Sequence, residues 1–143
     1  MTLGPIEIIE IGFPNGDIDP TVVEQVRALV DRGIVTVVDG LIVRKAPDGT
    51  VSIVEFEEPG ASAIGAAFAE LVGEHIDLVS AEDVDEFAVG LPAGASALVL
   101  VFEHTWAKPF RDAMTTAGGE VITQLRIPGP VVEEVLAALG EDA

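Results

Sequence analysis

The chain has no cysteine. Disulfides, a thiolate nucleophile and a Cys-ligated metal are thereby excluded, as suits a reducing cytosol. Bases are almost as scarce. Seven Lys and Arg residues stand against 25 acids, for a net charge of -18 and a pI near 4.1. Nucleic-acid affinity rests on cationic side chains neutralising phosphates. Arg27, Arg32, Arg44, Lys45, Lys108, Arg111 and Arg126 are too few and too scattered for that, and an anionic membrane surface repels such a chain. No signal peptide is expected either, because the first residues carry no basic region and Glu7 and Glu10 interrupt the first apolar run. The longest uncharged run, Phe87–Phe102, is shorter than the ~20 residues of a membrane span and is broken by Gly90, Pro92 and Gly94. A cytoplasmic protein without membrane insertion is the expectation.

What is present is apolar. Hydrophobic residues make up 49% of 143, and the mean hydropathy is +0.48. A chain of this length buries roughly 68–70% of its unfolded surface. Acids must therefore sit around a large apolar interior, and a single α+β domain over 1–143 is expected.

The organising stretch is Gly94-Ala-Ser-Ala-Leu-Val-Leu-Val-Phe102. Its unbroken apolar run, 97–102, reads as a strand covered on both faces rather than half-buried. Ile6–Phe13 reads as a second such strand, ended by Pro14-Asn15-Gly16. Asp19 as N-cap and Pro20 at the first position open a helix with Val22, Val26, Leu29 and Val30 on one face. Gly33 closes it. Ile34–Lys45 reads as a long strand kinked at Gly40, turned by Pro47-Asp48-Gly49 into a hairpin strand, Thr50–Glu58.

The segment 59–93 is an insert. Ala61, Gly65, Ala69 and Gly73 recur every four residues, a spacing that lets another backbone approach one helical face. Ser80-Ala-Glu-Asp83 then caps a short acidic helix running to Val89. Beyond the central strand come a helix from Trp106 stopped by Gly118-Gly119, a strand over Glu120–Ile127, and a C-terminal helix within 130–140 carrying Val131, Val135, Leu136 and Leu139.

Two strand–helix–strand units, 6–45 and 97–127, with a hairpin between them predict a ferredoxin-like α+β sandwich. The strands 6–13 and 97–102 are expected at its centre. Both being apolar on two faces, the face opposite the helices needs a cover, either the insert or a second subunit.

Three stretches, Gly4-Pro5-Ile6-Glu7, Asp39-Gly-Leu-Ile-Val-Arg-Lys45 and Leu91-Pro-Ala-Gly-Ala-Ser-Ala-Leu-Val-Leu-Val-Phe-Glu103, resemble an uncharacterised bacterial family of unknown function from high-GC Gram-positive bacteria. It is similar to a short cousin of the glycine-zipper "predicted membrane protein" family, in which a long Gly/Ala-rich insertion occupies the place of Gly60–Gly73. Here the insert is short, with Glu70 and Glu74 nearby. The resemblance implies no known activity and no catalytic residues.

Few residues offer chemistry. His104 beside Glu103 is a candidate general base at a strand end. His75 and Asp77 offer metal ligands but fall short of a three-ligand set. Ala61, Gly65, Ala69 and Trp106 are candidate interface residues. No phosphate loop or dinucleotide fingerprint is present, and no cofactor is expected. The leading expectation is a non-enzymatic, self-associating (homo-oligomeric) structural or regulatory module. The alternative is a dimeric α+β barrel binding a small hydrophobic ligand or haem, contacted by His75 or His104.

Overall fold

The computed structural model describes residues 3–56, 63–79 and 81–140. Glu57, Glu58, Ala61 and Ser80, which figure in the expectations above, lie outside them. The chain divides into two compact units, Met1–Asp112 and Ala113–Ala143.

The first unit holds a four-stranded antiparallel sheet of β1 (Ile6–Phe13), β2 (Thr36–Lys45), β3 (Val51–Glu55) and β4 (Ser96–Glu103), in the order β1-β4-β2-β3. Ile6 of β1 and Thr36 of β2 both lie opposite Glu103, so β1 and β2 are parallel with β4 between them. The expected centre is half right. β4 is central, but β1 is an edge strand, and its neighbour across β4 is β2. Glu7 and Glu10 explain the place of β1, because charge on an exposed edge discourages pairing with other chains.

Helix α1 (Thr21–Asp31) has Pro20 as its N-cap, one residue later than expected. Asp19 still accepts the Thr21 N–H through Oδ1 at 2.9 Å. At its far end Gly33 takes φ 69°, and the N–H groups of Gly33 and Ile34 return to Val30 and Leu29. That paired bonding is the Schellman stop expected of this glycine.

The apolar runs of β2 and β4 are buried on both faces, as read for 97–102. Ile6–Phe13 is not: as an edge strand β1 has less cover, and its Ile8 and Ile9 are 48% and 37% exposed. Val99 and Val101 of β4 with Leu41 and Val43 of β2 face one cluster, which Val79, Val84, Ala88 and Leu91 cover. Helix α3 (Ala81–Val89) and the segments flanking it form that layer. Leu98, Leu100, Val37 and Ile42 face a second cluster, capped by Val23 of α1, Phe68 of α2 (Ala63–Ala69) and Phe56. Each such side chain taken from water contributes about 1.5–3 kcal/mol. The two inner strands, β4 and β2, are thus dry on both sides within one chain, because the insert splits between the two faces of the sheet. No second subunit is needed to cover β2 and β4.

Strand β2 is bulged rather than kinked. Its register against β4 shifts between Val37 and Asp39, which leaves Val38 on the same face as Leu41. Gly40 lies beneath the Phe56 ring, where a Cβ would overlap the ring carbons. Phe56 in turn stacks on Phe68 at 5.2 Å between centroids.

After β4 a 3-10 turn (Thr105–Ala107) leads into α4 (Lys108–Thr116), with Pro109 in its first turn as expected. The expected strand Glu120–Ile127 does not form. Residues 120–128 have no regular structure, and Ile122 and Leu125 are 95% and 82% exposed. β-branched residues favour a pleated, half-buried surface, and this stretch pairs with no strand. The second strand–helix–strand unit as drawn is therefore absent. Helix α5 (Gly129–Ala138) closes the chain with Pro128 as N-cap.

Candidate functional site

Two clusters of polar side chains gather against the sheet. The first grows from the β2 bulge. Asp39 is 6% exposed, and a buried carboxylate must find donors. Its Oδ1 accepts the Gly40 N–H at 2.8 Å and meets His75 Nε2 at 3.3 Å. Its Oδ2 accepts the Leu78 and Val79 N–H groups at 3.1 and 3.4 Å. Those donors belong to a strap running from α2 to α3, which is also held by Gly73 N–H to Val37 O and Ile76 N–H to Val38 O. A carboxylate only accepts, so His75 presents Nε2–H to it. Asp77 joins from the same strap, and one ligand atom each of Asp39, His75 and Asp77 lies within 4.8 Å of the others. His75 and Asp77 were singled out from sequence, whereas Asp39 was not. Its one available signal was a lone acid inside the apolar run Val37–Val43.

The second cluster sits where β4 ends. Glu103 is 4% exposed. Its Oε2 accepts the Gly4 N–H at 2.8 Å and its Oε1 the Thr105 hydroxyl at 3.2 Å. With the Thr105 hydrogen so used, Thr36 is the donor in the 2.6 Å contact between the two hydroxyls. His104 Nε2 lies 2.8 Å from Glu7 Oε1, and the Trp106 indole N–H points to His104 Nδ1 at 3.2 Å. Indole nitrogen only donates, so Nδ1 is the acceptor and Nε2 carries the hydrogen given to Glu7. A general base needs a free lone pair, and in this arrangement the indole fills the one His104 has. Glu103 and His104 are adjacent in sequence but turn to different partners.

The remaining candidates separate. Gly65 is buried in α2, and Ala69 packs against the apolar cluster that contains Phe56 and Phe68. Trp106 is 59% exposed. Among the described residues no helix is long and apolar enough to cross a membrane.

No curated protein and no solved structure matches the chain. The model of a family of unknown function, DUF6325, matches residues 2–142, and the chain belongs to that family.

Proposed function

We propose that this protein is a non-enzymatic structural or regulatory module that associates with a second copy of itself through its C-terminal unit. The observation that carries the reading is that the C-terminal unit, taken by itself, buries none of its described residues, 113–140. Val121, Ile122, Leu125, Ile127, Val131, Val135 and Leu139 are nevertheless large and apolar, and all are exposed. Helices of nine and ten residues are too short to persist without packing.

Along α5 and its C-cap, Val131, Val135 and Leu139 follow one another at helical spacing, with Glu133 on the opposite side and Glu134 flanking Val131. Two such helices meet apolar to apolar with their acids outward, the self-complementary contact that a two-fold dimer requires. The occupied nitrogens of His104 support a non-enzymatic reading, and the lack of cysteine supports a cytoplasmic one. The split strand–helix–strand path of β1, α1 and β2 around β4 supports a ferredoxin-like relative of altered strand order. The small residues Gly65, Ala66, Ala67 and Ala69 of α2 support kinship with the glycine-zipper proteins of high-GC Gram-positive bacteria.

Light scattering on the full chain across a concentration series tests the proposal. Dimers are expected for the wild type and monomers for Val135→Asp and Leu139→Asp, with the melting temperature of the first unit unchanged. A wild type that stays monomeric throughout overturns it.

A further inference from the structure

We propose that Asp39, His75 and Asp77 bind one divalent transition-metal cation of the Zn2+ class. Their ligand atoms already lie within 4.8 Å of one another. Bonds of about 2.0–2.2 Å to a shared cation require these donors to stand within about 4 Å, so small rotations of two side chains close the set. His75 and Asp77 are exposed. Asp39 is the fixed member, because the N–H groups of Gly40, Leu78 and Val79 orient its carboxylate. Such outer hydrogen bonds are what hold a ligating carboxylate in place.

The weak point of the present arrangement is where the ion belongs. His75 Nε2 and Asp39 Oδ1 are 3.3 Å apart, a long hydrogen bond with one proton between two good ligand atoms. In the bound form that proton moves through solvent to Nδ1, Nε2 turns its lone pair to the cation, and the neutral ring keeps its single hydrogen. Two carboxylate oxygens and one imidazole are too few oxygens for Ca2+, which takes 6–8. Imidazole beside carboxylate suits Zn2+ and its neighbours. Three protein ligands leave a position for water. The ion would clamp the strap of Gly73–Val79 to the β2 bulge from which Asp39 rises.

A chain of net charge -18 also collects cations diffusely, so the test must separate a site from a field. Isothermal titration of metal-stripped full-length protein with ZnCl2, and with CaCl2 in parallel, reads both. The expected result is one equivalent of Zn2+, weakened at least about tenfold by His75→Ala and by Asp77→Asn. Glu133→Gln, which removes a charge from the other unit, should leave the affinity unchanged. Zn2+ should also raise the melting temperature of the wild type and not of His75→Ala. No heat with Zn2+, or several equivalents that His75→Ala does not alter, or an equal loss in Glu133→Gln, overturns the site.

Discussion

Trp106 donates its indole N–H to Nδ1 of His104 at 3.2 Å. The bond sets the tautomer of the ring, whose other nitrogen gives its hydrogen to Glu7 on β1. One imidazole thereby ties the first strand of the sheet to the turn that follows the last.

His104→Phe keeps a ring beside Phe102, which lies 5.3 Å from the imidazole, and removes both hydrogen bonds. Each is worth about 0.5–1.5 kcal/mol net, so urea unfolding should show a loss of about 1–3 kcal/mol. Trp106 is the one tryptophan of the chain. Its emission should shift to the red and its anisotropy fall; unchanged spectra would mean the indole is not held by the ring.

Gly40→Ala forces a methyl into the Phe56 ring. Overpacking of this kind costs about 1–3 kcal/mol. The double variant Gly40→Ala with Phe56→Leu should lose less than the sum of the two single losses, because the residues share one space. Additive losses in denaturant titrations would count against the close approach.

Asp39→Asn turns an acceptor-only group into one that also donates. With one oxygen left for several N–H groups, at least one buried donor goes unpaired, at about 1–3 kcal/mol. Hydrogen exchange should accelerate at Leu78 and Val79 before it does in β4. Protection unchanged at those two amides would show that the strap is held by other means.

Acid stability should carry two opposite signatures. The Thr21 N–H holds Asp19, and the Thr50 N–H holds Asp48, below the usual aspartate range. Their contribution is present above that range and disappears as pH falls through it. Asp48→Ala should therefore be less stable than wild type at neutral pH and equal to it once both states are protonated. Desolvation on β1 instead raises the carboxyl of Glu10, so its ionised form disfavours the fold. Glu10→Gln should gain stability as pH rises above the ordinary glutamate value, with no difference in strong acid. Melting curves across pH read both signs.

What could be read in advance follows the range of the forces involved. Gly33 ends α1 for a reason confined to its own dihedral angle, and the run Ala97–Phe102 is buried on both faces because its own side chains demand it. The place of β1 could not be read from its isoleucines, since the strand that pairs with it lies some ninety residues away. Glu120–Ile127 has the composition of a strand and no partner, so composition alone misleads. Asp39 stayed hidden for a similar reason. Its donors lie about forty residues downstream, and its neighbour Gly40 looked like a kink rather than the mark of a bulge.

The strand order also governs how the chain can come into being during synthesis. β1 and β2 emerge early but never touch; the element that joins them, β4, leaves the ribosome after almost all of the first unit. Until Glu103 is out, the nascent sheet is only a β2–β3 hairpin and a solitary ribbon, both greasy and both awaiting the same late insertion. Nonlocal closure of this kind is slow, which makes the interval before β4 arrives the time of greatest exposure to chaperones and to misassembly.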